Sequence, residues 1–251
     1  MEWVQTEVAG WRDWAPGLRT LRLARRAEFR AGQFLNLALE LEGERVSRSY
    51  SMASAPGAPL EFFLVAVEGG RLSPWLCALA PGAPLWISDT PAGHFTLERV
   101  PDARALWLLA TGTGLGPYLS MLETAEPWER FAQIVVVHGV RERAHLAYRE
   151  RLRELAAQRG GGLQLVGVVS REPAGDELAG RIPARIADGS LEARVGSALT
   201  PEGCHVLLCG NPGLVRDGTA ALVAKGLRKH RRREPGQISS ERYWQAPQGA
   251  R

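Results

Sequence analysis

The sequence predicts two domains: an antiparallel β-barrel over residues 1–100 and a parallel α/β sheet over residues 101–251. Up to about Leu97, short apolar segments alternate with Gly and Pro turns, which is typical of small antiparallel barrels. From about Pro101, short apolar runs alternate with helical stretches, which indicates βαβ units. A chain of 251 residues is long enough to bury a hydrophobic core in each part.

The barrel domain is predicted to contain five short strands and one helix. The strands are Leu18–Leu23, Gln33–Leu39, Arg45–Met52, Leu60–Val67 and Leu85–Ile87, separated by Gly and Pro turns. The helix is predicted over Leu72–Leu79, with Ser73 as its N-cap and Pro74 at its first helical position.

The second domain is predicted to contain four buried parallel strands, which are Arg104–Leu109, Ile134–His138, Leu163–Val169 and, as the last one, His205–Cys209. Helices are predicted over Tyr118–Glu123 and Ala144–Gln158. After the last strand, Asn211 suits an N-cap and Pro212 suits the first position of a further helix.

Composition narrows the classes of protein to consider. The longest apolar runs are too short to cross a bilayer, and the first residues lack the pattern of a secretory signal. The three cysteines are widely spread and match neither a disulfide framework nor an iron–sulfur ligand set. We therefore expect a cytoplasmic protein without a metal site or a membrane span.

The stretch from Arg48 to Ser51 is the most informative short motif. Alternate residues of a strand share one face, so Arg48 and Tyr50 should point together while Ser51 points the other way. A guanidinium can bind a pyrophosphate, an aromatic ring can cover an isoalloxazine, and a hydroxyl can reach its N5/O4 edge. The stretch therefore suits a flavin dinucleotide. Taken alone, it fits equally well an amphipathic strand with a solvated arginine.

A glycine-rich turn, Thr111 to Pro117, follows the first strand of the second domain. Glycines let the backbone approach a pyrophosphate, and a helix N-terminus supplies N–H donors. The spacing G-x-G-x-G-P differs from the Rossmann fingerprint, so the motif alone also fits a tight turn without a ligand. Its position between a strand and a helix favours nucleotide binding.

Cationic residues follow two of the predicted parallel strands. Arg141 comes after the second, Ser170 and Arg171 come after the third, and Arg181 follows shortly afterwards. Arginine at the end of the second strand suits the 2′-phosphate of NADP, whereas an acidic residue there suits NAD. Each arginine alone is more commonly a surface residue, but together they favour NADP.

Cys209 lies at the predicted carboxyl end of a parallel strand, where α/β sheets place ligands. Its thiol could lie against a nicotinamide ring, or it could be a small buried apolar group. Cys77 is predicted to belong to the barrel core, and Cys204 is given no role.

With these motifs in place, the chain resembles the ferredoxin–NADP⁺ reductase family, and specifically the bacterial ferredoxin/flavodoxin reductases. The likeness runs from about Phe34 to Trp244 and rests on six motifs in order. They are Arg48 to Ser51, Gly70 to Pro74, Gly93 to Leu97, Gly112 to Gly114, Cys209 to Pro212 and Glu241 to Trp244. One departure is the tail Gln245–Arg251, because the tryptophan is close to the last residue in these relatives.

The resemblance implies a role for each matching position. The residues implied for FAD are Arg48, Ser49, Tyr50, Ser51, Phe63, Arg71, Leu72, Ser73, Thr113, Tyr243 and Trp244. Those expected for NADP are Gly112, Gly114, Arg141, Ser170, Arg171, Arg181, Asn211 and Pro212. Tyr50, Ser51 and Cys209 are expected nearest the reacting rings.

The activity that the resemblance implies is hydride transfer from NADPH to FAD, followed by single-electron transfer to ferredoxin or flavodoxin, reversible in principle. Such carriers are commonly acidic, and the net charge of +4, with the basic run Arg228 to Arg233, would attract them to a monomeric enzyme. One alternative is an NADPH-dependent flavin or oxygenase-component reductase. A remote one is a non-catalytic protein whose basic run binds nucleic acid, although this run has no interleaved aromatics.

Overall fold

The computed structural model describes residues 2–160 and 162–243. The chain divides into two compact units, and each is described by itself. The first comprises Met1–Leu97 and Gly116–Thr124, and the second comprises Glu98–Leu115 and Ala125–Arg251. Two expectations concern residues outside the described part of the chain. They are the FAD contact expected for Trp244 and the departure from the family pattern at Gln245–Arg251.

Six antiparallel strands form the sheet of the first unit. They are β1 (Trp3–Ala15), β2 (Leu18–Arg26), β3 (Phe34–Leu41), β4 (Glu44–Ser51), β5 (Pro59–Val65) and β6 (Pro84–Ser88), in the order β4-β3-β6-β1-β2-β5. A bridge between Met52 and Phe62 joins the two ends of this order, and Ala53 N donates to Glu61 O at 2.8 Å beside it. The sheet therefore closes on itself, which confirms the predicted barrel.

Strand β1 is absent from the sequence prediction. It is thirteen residues long and pairs with β2 and β6, yet only Thr6 and Val8 along it are buried. Register shifts lie between Val8 and Gly10 and between Asp13 and Ala15, so inward and outward residues do not alternate regularly along the whole strand. It forms a hairpin with β2 through the turn at Pro16-Gly17 and pairs on its other side with the distant β6, but its side chains show no single period that predicts a strand.

The barrel is filled by aliphatic side chains from all six strands and by one short helix, α1 (Ser73–Cys77). Cys77 belongs to this core, as predicted. The predicted helix Leu72–Leu79 is too long, and the predicted cap is wrong. Leu72 occupies the N-cap position without a side-chain cap, and Ser73 Oγ instead accepts a hydrogen bond from Val67 N at 3.1 Å. Pro74 does lie in the first turn.

The second unit contains a parallel sheet of six strands. They are β7 (Ala105–Thr111), β8 (Gln133–Val140), β9 (Leu163–Val169), β10 (Leu178–Ala179), β11 (Cys204–Gly210) and β12 (Ile238–Arg242), in the order β10-β9-β8-β7-β11-β12. All of the paired strands are parallel, as predicted. The prediction that His205–Cys209 is the last strand is wrong, because β12 pairs with β11 along its length.

Helices connect these strands. They are α2 (Gly116–Leu122), which is grouped with the first unit, α3 (Glu126–Arg130), α4 (Arg149–Gln158), α5 (Ile182–Ala187), α6 (Ser190–Val195) and α7 (Pro212–Ala224). The prediction of one continuous helix over Ala144–Gln158 is wrong for the residues before Arg149, where α4 begins. A 3₁₀ turn at Arg143–His145 comes first, and Tyr148 then adopts a left-handed conformation, with φ 62°, before α4 begins.

None of the helices in the described part of the chain combines the length and apolar character needed to span a membrane. The sheet of the second unit has a core that consists mainly of Val, Leu and Ile side chains together with Trp107, which is fully buried. This rigid core fixes the positions of the loops that follow the carboxyl ends of β7, β8, β9 and β11.

Candidate functional site

In the first unit, the motif Arg48 to Ser51 forms the end of β4. Arg48 lies opposite Leu37 and Tyr50 lies opposite Leu35, so the two share one face as predicted. Tyr50 is half-buried against the barrel core, whereas the Arg48 guanidinium is exposed and donates to Ser47 O at 2.7 Å. Ser51 is buried at the strand end. A cation and an aromatic ring therefore stand side by side at the barrel surface.

Burial sets the protonation state of Tyr50, and a hydrogen bond sets the orientation of Ser49. Burial raises the pKa of Tyr50 to about 12, with a smaller contribution from Cys77 and an opposing one from Arg48. The phenol therefore stays protonated at neutral pH and can offer a ring and an O–H donor. Ser49 points to the other side, where its Oγ donates to Asn36 Oδ1 at 2.7 Å.

The other positions implied for FAD in this unit differ in what they can offer a ligand. Arg71 is exposed, and its Nη2 contacts Glu44 Oε2 at 2.8 Å. Because Leu72 is 1% exposed and packs in the core, only its backbone is available to a ligand. Phe63 is buried at 4% exposure on β5. The sequence did not predict the ion pair between Arg71 and Glu44.

In the second unit, the strand order reverses between β7 and β11, which makes their carboxyl ends a topological switch point. The glycine-rich turn follows β7, and Asn211 follows β11. Thr111 joins the two, because its Oγ1 accepts from Asn211 N at 3.1 Å and from Asn211 Nδ2 at 2.9 Å. Asn211 Oδ1 accepts from Leu214 N at 2.9 Å, and α7 begins at Pro212, so the predicted N-cap is confirmed.

Close backbone approach explains the glycines at this edge. A Cβ on Gly114 would lie 2.3 Å from Cys209 O, and one on Gly210 would lie 2.2 Å from Thr111 Oγ1. Gly112 has φ 52° and begins a short 3₁₀ turn, Gly112–Leu115. Only glycine allows the turn after β7 to pack directly on the end of β11.

Two side chains hold the carbonyl groups of this turn. His138 Nε2 lies 2.9 Å from Gly112 O, and Tyr243 donates its hydroxyl proton to Thr113 O at 2.7 Å. The resemblance implies a FAD contact for Thr113 and Tyr243, whereas His138 is predicted only to end a strand. The signal for His138 was a polar residue at the carboxyl end of an otherwise apolar strand.

The structure brings together the loops that carry the three arginines. Arg171 N donates to Arg141 O at 2.9 Å, and Gly180 N, next to Arg181, donates to Val169 O at 2.7 Å. All three arginines are exposed. Ser170 is tied to the same edge, because its Oγ donates to Val140 O at 3.1 Å. The arrangement presents several cations at one corner of the sheet.

Cys209 and Glu241 are neighbours on β11 and β12. The Cys209 thiol is fully buried, and burial, reinforced by Glu241, raises its pKa well above the usual value. The thiol is therefore protonated and acts as a small neutral group. Burial also raises the pKa of Glu241 to about 7, and its buried Oε2 has no hydrogen-bond partner among the described residues. From the sequence, Glu241 is expected only as part of the terminal motif Glu241 to Trp244.

Two protein-family models match the chain. An oxidoreductase FAD-binding domain matches residues 18–97, which lie in the barrel unit. An oxidoreductase NAD-binding domain matches residues 108–219, which contain most of the parallel sheet and its glycine-rich turn.

Relatives match the chain over nearly its full length. It is 45% identical to a flavodoxin/ferredoxin–NADP reductase of Shigella flexneri, covering 97% of this chain and 99% of the relative. The corresponding protein of Escherichia coli K12 is 44% identical over the same shares.

Solved structures agree with these relatives. A ferredoxin–NADP⁺ reductase of Neisseria gonorrhoeae, solved with bound FAD and NADP, is 31% identical with a TM-score of 0.91 and covers 97% of this chain and 100% of that one. An Amycolatopsis cytochrome P450 reductase is 27% identical with a TM-score of 0.76 and covers 96% of this chain and 70% of that one. The chain belongs to the bacterial flavodoxin/ferredoxin–NADP reductase family.

Proposed function

We propose that this protein is an FAD-dependent reductase that moves a hydride from NADPH to the flavin and then passes electrons singly to ferredoxin or flavodoxin. The observation that carries the proposal is the pairing, in one chain, of a FAD-binding barrel and a parallel sheet whose corner presents three exposed arginines. The relatives named as flavodoxin/ferredoxin–NADP reductases support it.

The residues of the barrel fit a flavin dinucleotide. The exposed guanidinium of Arg48 suits the pyrophosphate, the half-buried ring of Tyr50 suits the isoalloxazine, and the hydroxyl of Ser51 suits its polar edge. The loop before α1 would add Arg71 and the backbone of Leu72. Bound FAD supplies the chemistry, because it accepts a hydride and releases electrons one at a time, while the protein supplies orientation.

The residues at the sheet edge fit NADP. Gly112 and Gly114 let backbone amides approach a pyrophosphate, and Arg141, Arg171 and Arg181 suit the 2′-phosphate. Glu241 Oε2, which has no hydrogen-bond partner among residues 2–160 and 162–243, offers a buried acceptor to an amide such as that of nicotinamide. Several finer assignments remain proposals of the same kind. They are the roles of Ser49, Phe63, Ser73, Thr113, Ser170, Cys209, Asn211, Pro212, Tyr243 and Trp244.

The carriers that we propose as partners are acidic, which matches the net charge of +4. We also propose that the protein is cytoplasmic, because Cys77, Cys204 and Cys209 are all free thiols, as is usual in a reducing compartment. Its monomeric state is a proposal that follows from the resemblance alone. A second candidate for the protein that accepts the electrons is an oxygenase component. The likeness to the Amycolatopsis cytochrome P450 reductase supports this candidate.

The proposal is tested by recording the visible spectrum of the purified protein during anaerobic addition of NADPH and, separately, of NADH. We expect flavin bands that bleach at much lower concentrations of NADPH than of NADH. Ferredoxin or flavodoxin should then reoxidise the flavin in a salt-sensitive way, whereas acceleration only by free flavin or by an oxygenase component would favour the second candidate. A colourless protein that cannot be reconstituted with FAD would reject both.

A further inference from the structure

A buried histidine links two strand ends in the second unit. His138 lies at the carboxyl end of β8, between Ala110 of β7 and Gly167 of β9 in the sheet, and is 6% exposed. Its Nε2 is 2.9 Å from the carbonyl oxygen of Gly112, the first residue of the glycine-rich turn. The contact therefore joins the turn after β7 to the strand end that leads to Arg141.

The chemistry of the contact fixes the state of the ring. Burial lowers the pKa of His138 to about 4, although the bond to Gly112 acts in the opposite direction, so the ring is neutral at pH 7. A carbonyl oxygen can only accept, and Nε2 must therefore carry the single ring proton and donate it. One tautomer of neutral His138 is selected.

Peptide geometry converts this bond into an orientation of the turn. In a trans peptide the C=O of one residue and the N–H of the next are coplanar and point in opposite directions. Holding Gly112 O therefore directs the Thr113 N–H the other way. Tyr243 does the same for the next peptide, because it holds Thr113 O at 2.7 Å and so directs the Gly114 N–H.

The surroundings of His138 indicate that it acts through the backbone. Beside its ring is a cavity of only about 20 Å³, lined by apolar residues such as Val136 and Leu146 and by Arg149, which forms an ion pair with Glu177. This space suits one water molecule at most and cannot hold part of a dinucleotide. The bond to Gly112 is therefore the route by which His138 can influence a ligand.

We propose that His138 is a positioning residue for the pyrophosphate of the nicotinamide nucleotide: by holding the Gly112 carbonyl, it keeps the Thr113 amide aimed at the phosphate oxygens. The inference rests on the proposed function and adds a determinant of affinity that NADP and NAD share. It predicts that loss of the His138 hydrogen bond weakens the binding of NADP⁺ and NAD⁺ equally. Replacement of an arginine is instead expected to weaken only the binding of the nucleotide that carries the 2′-phosphate.

The test compares His138→Leu, which removes the donor, with His138→Gln, whose Nε2 can still donate to Gly112. Binding of NADP⁺ and of NAD⁺ to the FAD-loaded proteins is measured by calorimetry. Because a hydrogen bond contributes about 1 kcal/mol, we expect His138→Leu to weaken both nucleotides about 5- to 10-fold and His138→Gln to recover most of the loss. Unchanged affinity in His138→Leu, or a loss confined to NADP⁺, would overturn the inference.

A second measurement uses the wild-type protein, so its result does not depend on whether the His138 variants fold. In wild-type protein labelled with ¹⁵N-histidine, long-range ¹H–¹⁵N spectra should show His138 as the neutral Nε2–H tautomer from pH 5.5 to 8. An Nδ1–H tautomer, or titration near pH 6.5, would overturn the inference even if the enzyme is an NADPH-dependent flavoprotein. A wild-type protein that binds neither FAD nor NADP⁺ would instead contradict the proposed function.

Discussion

Individual side chains at the carboxyl edge of the second unit divide into those that shape the backbone and those that carry charge. Thr111, His138 and Tyr243 hold backbone groups or Asn211 in place and are partly or fully buried. Arg141, Arg171 and Arg181 are exposed. In the proposed NADP site, we expect the buried anchors to set where the pyrophosphate binds and the exposed arginines to favour the 2′-phosphate.

Arg141→Glu is expected to weaken NADPH binding about 10- to 100-fold while changing NADH little. The 2′-phosphate is the only difference between the two, and a charge-assisted hydrogen bond contributes about 1.5–3 kcal/mol. Flavin bleaching by each nucleotide measures the effect. Arg153→Glu, at an exposed position of α4, is a matched control for the same change of charge. Equal losses for both nucleotides would contradict the assignment of Arg141.

Gly114→Ala is expected to damage the turn rather than the fold. The new Cβ would lie 2.3 Å from Cys209 O, so the turn must move away from the end of β11. We expect at least a 10-fold loss of affinity for both NADP⁺ and NAD⁺ with FAD content retained, as measured by calorimetry and flavin absorbance. Gly10→Ala controls for the addition of a Cβ at a glycine, since that Cβ would meet no atom within 4 Å and Gly10 has no left-handed φ. Wild-type affinity in Gly114→Ala would show that this close approach is not needed.

At the scale of elements, β12 matters because it places a carboxyl group inside the protein. Its pairing with β11 sets Glu241 beside Cys209, where burial raises the pKa of the carboxyl to about 7. The unfolded chain has the ordinary value of about 4.5. Between these values the folded state binds more protons, so stability falls as the pH rises through this window.

Glu241→Gln is therefore expected to flatten the dependence of stability on pH between about 4.5 and 7. The full penalty in wild type is on the order of 3 kcal/mol and is complete above pH 7, since a tenfold change in proton affinity corresponds to about 1.4 kcal/mol. Urea unfolding at pH 5 and pH 8 measures it, with Glu202→Gln, an exposed residue just before β11, as the control. Parallel pH profiles for wild type and Glu241→Gln would refute a buried carboxyl.

At the scale of the whole molecule, charge is expected to govern encounters with the carrier. The basic run Arg228 to Arg233 forms an exposed turn that leads to the amino end of β12. Within the second unit this is the edge opposite Gly112, separated by the length of a five-residue strand, about 15 Å. The turn can therefore steer an acidic partner without contacting the proposed NADP site.

Replacing Arg231, Arg232 and Arg233 with Gln is expected to lower the rate constant for carrier reduction severalfold at low salt. The difference from wild type should vanish at about 0.5 M salt, because screening removes long-range attraction. Stopped-flow measurements over a salt series check this, with bleaching of the flavin by NADPH as the internal control. A loss that persists at high salt would indicate direct contact, and impaired bleaching would contradict the separation of the two edges.

Local chemistry in the sequence determined much of this protein. The strand rhythm of each half, the Asn211-Pro212 helix start and the motifs at Arg48 to Ser51 and Gly112 to Gly114 depend on neighbours within a few residues. Turn residues, N-caps and the pairing of residue types with ligand groups are encoded at that range. The fold class and the hypotheses for Arg48, Tyr50, Ser51 and the three arginines follow from them, whereas the roles of the other proposed ligand residues come from the resemblance to the reductase family.

Only the tertiary structure decided the rest. Strands β1 and β12 are defined by their pairing, β1 with its hairpin neighbour β2 and the distant β6, and β12 with β11. Neither has a regular alternation of buried residues along its whole length. His138 acquires a partner, and Glu241 a raised pKa, because the fold buries one beside Gly112 and the other beside Cys209. Burial and partnership depend on residues far apart in the chain, so no local pattern contains them.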